Sequence, residues 1–234
     1  AKPFVNWLIA VLTPFLIFAQ LLLTFCKIEP KELLPKAWHV WLLSIQAVSS
    51  GIIALLLIFC PMEEAYRDIF EGAMVCLICP TATAAAVITG KLGGSASTLT
   101  TYTLLSNVLA AIAVPLVFPL VEPHADITFV VAFLKILSKV FPLLLAPFFI
   151  ALLFRYYIPS VHRLLSKYHG VAFYLWAVAL TIVTGQTVRS LVTAAADVSI
   201  EIMIALAGLA TCCLQFYFGK RIGSAYHDRI SAGQ

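Results

Sequence analysis

Cys79-Pro80-Thr81-Ala82-Thr83-Ala84-Ala85-Ala86-Val87-Ile88-Thr89-Gly90-Lys91 directly follows the apolar run Ile69 to Ile78, which is too short to cross a bilayer by itself. A proline, then small and hydroxyl residues, then a glycine at membrane depth is the pattern of a discontinuous helix. Breaking a helix there frees backbone N–H and C=O groups that lipid cannot satisfy, so the break survives only against protein or a water-filled cavity. Pro80 lacks an N–H and deprives the Cys76 carbonyl of its usual bond. A helix restarting near Ala84 would turn N–H groups with partial positive charge toward the gap, an end suited to an anionic substrate group. Thr81 and Thr83 bring hydroxyls that can serve the local backbone or coordinate a cation. The bland alternative is a proline kink with no ligand, the reading preferred for Pro14, Pro142 and Pro147.

Composition sets the solvent. Of 234 residues, 62% are hydrophobic and 11% charged, against about 25% charged in soluble domains. Mean hydropathy is +1.01. The chain therefore reads as an all-α polytopic membrane protein; continuous apolar runs exclude a β-barrel, whose strands alternate. Seven spans are expected: Phe4–Phe25, Trp38–Cys60, the broken Tyr66–Lys91, Ser95–Val121, Thr128–Tyr157, Val171–Leu191 and Val198–Gly219. They form one transmembrane domain over 1–234, with a core segment at 36–121 carrying the break and scaffold helices at 128–191. The chain starts at Ala1 without methionine and stops soon after a basic loop, so it reads as a fragment.

Basic residues orient the bundle. One set of loops holds Lys27, Lys31, Lys36, Lys91, Arg155, Arg163, Lys167, Lys220, Arg221 and Arg229; the alternate set holds only Lys2, Arg67 and Arg189. By the positive-inside rule the chain starts outside and ends in the cytoplasm, as a multi-pass protein of the inner membrane. The alternation requires the broken segment to count as one crossing. Lys135 and Lys139 fit neither set: they either snorkel from the fifth span to the outer interface, the preferred reading, or face a wet cavity and attract an anion.

Polar faces suggest where a solute would sit. Thr103, Ser106, Asn107, Ala110 and Ala113 recur at three- and four-residue intervals on the fourth span, and Gln46, Ser50 and Ala54 share a side of the second. Small and polar faces first of all let helices pack closely, the reading preferred for Ser106. A membrane carboxamide is costly unless paired, which singles out Asn107 and Gln46. Thr81, Thr83 and Asn107 are the expected substrate contacts, with Gln46 and Thr103 completing the polar wall. Cys76 and Cys79 form a C-x-x-C without a second pair or flanking histidine, so packing thiols are preferred over a metal or redox pair. Glu201 is placed at an interface, the five histidines fall in or near loops, and no hydrolytic or metal centre is present, so no enzyme is expected. Basic residues are spread over loops, which speaks against nucleic acid. The expected partners are a small organic solute and membrane lipid, with the oligomeric state open.

The chain resembles the bile acid:sodium symporter family. The likeness runs through Cys79-Pro80, the small-residue break, the basic and glycine residues at Lys91 to Gly93, the polar fourth span closing on Pro115, and Phe25 to Leu33. It implies ten helices in two inverted five-helix repeats, of which this chain would hold the second to eighth, as a bacterial member without the first and last two. It also implies Na⁺ as coupling ion, with Gln46 and Thr103 at matching sodium positions. Ala85, Ala86 and Leu99 stand where the family carries oxygen ligands, so one sodium site is compromised. The expected function is secondary transport of a small organic, anionic solute by alternating access. A sodium-independent carrier or channel-like pore is the alternative, and a membrane-embedded lipid-modifying enzyme ranks below both.

Overall fold

The computed structural model describes residues 2–27, 34–82, 84–123, 127–168, 170–193 and 198–233. Among the described residues ten helices follow one another: α1 Lys2–Cys26, α2 Ala37–Phe59, α3 Glu64–Ile78, α4 Ala84–Lys91, α5 Ala96–Val121, α6 Phe129–Tyr157, α7 Pro159–Lys167, α8 Val171–Thr193, α9 Val198–Ala225 and α10 Arg229–Ala232. No strand occurs among the described residues.

Among the described residues six helices, α1, α2, α5, α6, α8 and α9, are long and apolar enough to cross a membrane. Their exposed surfaces carry side chains such as Phe15, Ile52, Ile112, Phe149, Leu180 and Leu209. A soluble protein would not leave so many large apolar groups uncovered; acyl chains can cover them.

The interrupted segment divides as the sequence suggests. α3 has 15 residues and α4 has 8. At 1.5 Å per residue they measure ~22 and ~12 Å, so neither is long enough by itself to span a hydrocarbon layer of ~30 Å. α3 stops with the Cys79 N–H bonded to the Val75 carbonyl at 3.0 Å, and Pro80 cannot supply the next donor. Proline alone does not break a helix here. Pro14, Pro115, Pro119, Pro142 and Pro147 all lie inside continuous helices. At Pro80 neighbouring helices offer donors to the carbonyls left behind.

Two boundaries depart from the sequence reading. The last long helix runs to Ala225, six residues past Gly219. The basic loop between the fifth and sixth spans contains a further amphipathic helix, α7, with Pro159 at its start. Leu165 of α7 packs against the cluster of Leu21, Phe25, Cys26 and Ala151. Its Ser166 hydroxyl donates to the Cys26 carbonyl at 2.8 Å, satisfying an acceptor at the end of α1 that has no N–H donor further along the helix.

α1 packs on α6 and α8, while α2 packs on α3, α5 and α9, and α3 lies along α9. α5 joins α6, and α4 reaches α8. Arg67, at the start of α3, pins one end of this arrangement. Its guanidinium donates to the Leu57 carbonyl at 3.2 Å and to the Val121 carbonyl, and it pairs with Glu71 at 2.9 Å. One cation thereby caps the carboxyl ends of both α2 and α5, where the helix dipoles favour positive charge.

Candidate functional site

Where α3 ends, carbonyls lose their helical partners, and two glutamines take up three of them. Gln46 of α2 donates from Nε2 to the Ile78 carbonyl at 3.1 Å and the Cys79 carbonyl at 3.3 Å. Gln215 of α9 donates to the Cys76 carbonyl at 3.4 Å, the group that Pro80 leaves without a backbone donor. The amide orientation of Gln46 is dictated by this network, because carbonyls can only accept. Its Oε1 faces the other way and accepts from the Ser106 hydroxyl of α5 at 3.2 Å. A carboxamide in each flanking helix replaces the missing turn, which keeps a break tolerable at membrane depth.

Beside the break lies a cavity of about 340 Å³, within the size range of small-molecule sites. Gln46, Cys79, Thr81, Ala85, Ser106 and Gln215 line it, with Tyr102, Trp176, Phe216 and Phe218 as aromatic walls. The mixture is mostly apolar surface with a few convergent polar groups, which suits a solute having an apolar body and a polar end.

The sequence-selected residues separate into three groups. Gln46 and Thr81 meet at the cavity. Thr103 and Asn107 do not line it; both are 1% exposed within the bundle. Thr103 donates its hydroxyl to the Leu99 carbonyl at 3.0 Å, leaving its oxygen lone pairs able to accept. Asn107 keeps Nδ2 buried with no hydrogen-bond partner among the described residues. Thr83 lies outside the described residues.

The departures from the family pattern are equally concrete. Leu99 is 1% exposed and packs with Trp38, Leu42 and Ala232; Ala86 is buried and Ala85 half-buried. These side chains offer no oxygen to a cation. Lys135 and Lys139 are exposed along α6 and do not line the cavity, and Glu201 is half-buried in the first turn of α9. No group of three His, Cys, Asp or Glu residues able to hold a metal occurs among the described residues.

Sequence reading overlooked Gln215 and gave Ser106 a packing role only. The signal for Gln215 was available: it is a lone carboxamide in an apolar helix, as Gln46 is. Ser106 does make a packing hydrogen bond, but its acceptor is the residue that holds the break.

Long apolar helices surround an interrupted one, with a solute-sized cavity at the interruption. The chain belongs to the sodium bile acid symporter family, whose profile matches residues 4–194. That match takes in the break and every cavity-lining helix except α9 and α10. A comparison with curated proteins returns no match.

Proposed function

We propose that this chain forms part of a secondary active transporter that moves a small organic anion by alternating access, with the solute held at the break after Pro80. The observation that carries the reading is the use of two glutamines from different helices to sustain an interrupted helix beside a cavity. Helix interruptions at membrane depth are how carriers place substrate and coupling ions. Thr81 and Thr83, together with the amino end of α4, receive the anionic group. Gln46, Thr103 and Asn107 form the polar wall behind it. The α3–α4 pair counts as one crossing, making seven in this chain of a ten-helix, inverted-repeat protein. The basic loops lie in the cytoplasm and the protein resides in the inner membrane. The segment 36–121 is the core and 128–191 belongs to the scaffold that moves against it.

Sodium is a co-substrate held by Gln46 and Thr103. The Gln46 Oε1 still has a lone pair after accepting from Ser106, and the Thr103 oxygen can accept while donating to Leu99. With alanines at 85 and 86 and leucine at 99, only one sodium site is complete enough to act. The test is uptake of radiolabelled organic anions, taurocholate and smaller carboxylates, into vesicles containing the parent protein. Gln46→Ala, Thr103→Ala and Asn107→Ala should each lower uptake, and unchanged uptake in all three removes the site assignment. Replacing Na⁺ with choline should slow uptake only in part, whereas complete insensitivity removes sodium from the mechanism. Unitary currents in a planar bilayer would replace the carrier with a pore.

A further inference from the structure

α9 does not simply end at Ala225; the chain doubles back on it. His227 adopts φ 57 and the Asp228 N–H bonds to the Gly223 carbonyl at 2.8 Å, a left-handed reversal uncommon for a residue other than glycine. The returning segment lies backbone against backbone on α9, at two glycines one turn apart. A Cβ on Gly223 would stand 2.7 Å from the Ala232 Cβ and 2.9 Å from the Asp228 carbonyl, and one on Gly219 would overlap the Ala232 carbonyl. From that seat the Asp228 carboxylate reaches α2, accepting from Lys36 Nζ and from the indole Nε1 of Trp38 at 3.2 Å. The Ser231 hydroxyl accepts from the Ser95 N–H at the start of α5, at 3.0 Å. Three helix ends from distant parts of the chain are thus tied by one eight-residue stretch. Its residues Ala232 and Gly233 line the same cavity as Gln46, Cys79 and Thr81.

We propose that Asp228 is a positioning residue for transport: its bonds to Lys36 and Trp38 hold segment 226–233 as the floor of the Pro80 cavity, and their release opens the cavity at this end. The proposal rests on the carrier reading above. The bonds suit an element that must hold and then let go. The Lys36 side chain is 45% exposed, and an ion pair so open to solvent is weak and easily exchanged for water. Trp38, by contrast, is fully buried, so its indole returns the carboxylate to one place. The glycine seat on α9 contributes fit without adding side chains that would tether the segment.

The native Cys79 reports on the floor, because it lines the cavity and is exposed there. In the full-length protein with Cys79 as sole cysteine, its labelling by a membrane-impermeant maleimide is followed in inside-out vesicles. Asp228→Asn should speed labelling roughly tenfold, the equivalent of about one charge-assisted hydrogen bond. Trp38→Phe, which keeps the ring but removes the donor, should give a smaller rise, and Asp228→Glu should stay near the parent. Labelling of Asp228→Asn at the parent rate overturns the proposal. A second protein with Cys26 as sole cysteine separates local opening from general loosening, since Cys26 is 1% exposed beneath α7. It should remain unlabelled in the Asp228→Asn background; labelling that rises in parallel with Cys79 also overturns the proposal. No solute enters this measurement, so its failure is distinct from failure of the transport reading, which is judged by uptake.

Discussion

Replacing Gln46 by leucine probes the central physical claim, because it keeps most of the side-chain volume and removes only the carboxamide. Three hydrogen bonds go with it: to the Ile78 carbonyl, to the Cys79 carbonyl, and from the Ser106 hydroxyl. They are unequal. Ile78 is 2% exposed, so no water reaches its carbonyl, and a buried acceptor left unmade costs ~1–3 kcal/mol. The Cys79 carbonyl lies at the cavity rim, where water replaces the lost donor at little cost. Ser106 is also buried, but its hydroxyl can turn toward its own helix, so its loss is ~0.5–1 kcal/mol. The sum is ~1.5–4 kcal/mol, above the ~0.6 kcal/mol average for interhelical hydrogen bonds in membranes because an orphaned carbonyl remains. For a chain of this size that corresponds to a fall in unfolding midpoint of ~3–16 °C. Thermal unfolding of the purified protein in detergent reads it, with Gln215→Leu as comparator. The Gln215 bond is longer and faces the cavity, so its loss should cost less than ~1 kcal/mol. A Gln46→Leu protein as stable as its parent, or less affected than Gln215→Leu, would mean that these carboxamides do not sustain the break.

Three further outcomes are expected. Pro80→Ala restores a backbone donor opposite Cys76, so α3 should extend by about a turn; uptake should fall while the unfolding midpoint holds, and uptake at the parent level refutes the functional role of the break. Arg67→Gln strips the charge from the Leu57 and Val121 carbonyls and should destabilise the protein by ~1.5–3 kcal/mol, visible as a lower midpoint; an unchanged midpoint means the cap is ornamental. Burial pushes the Asp228 carboxyl upward, but the bond and charge of Lys36, with hydrogen bonds from Trp38 and Ser231, outweigh it and hold the group below the usual carboxylate range. A depressed value means that the stabilisation is fully present above the unfolded-state value of about 3.9 and is lost as pH falls through the lower folded value. The midpoint gap between parent and Asp228→Asn should therefore persist at neutral pH and shrink below pH ~4, and a gap independent of pH refutes the pairing.

Much of the architecture was legible in order along the chain. Apolar runs of 18 residues or more announce crossings because a helix must satisfy its own backbone in lipid. α2, α5, α6 and α8 accordingly stand within two residues of where the runs place them. α7 escaped because nine residues containing Arg163 and Lys167 read equally well as a solvated loop; only contact with the buried cluster around Phe25 and the hydrogen bond to the Cys26 carbonyl reveal it as a packed helix. The end of α9 escaped because Lys220 and Arg221 resemble an interfacial stop, whereas Gly219 and Gly223 are kept helical by the segment lying on them.

At the cavity the same division holds, residue by residue. That Pro80 would strand the Cys76 carbonyl follows from covalent structure, since proline has no N–H wherever it occurs. So does the need for some polar group to answer it, because hydrocarbon offers none. Which group answers is a matter of what lies within 3.5 Å after folding. Gln215 is 139 positions from Cys76, Gln46 is 32 from Ile78, and Asp228 is 192 from Lys36. Hydrogen bonds decay over ångströms and carry no record in sequence spacing. The order of residues therefore dictated that the membrane would contain a break with unmet polar demand; only the folded bundle decided which distant side chains meet it.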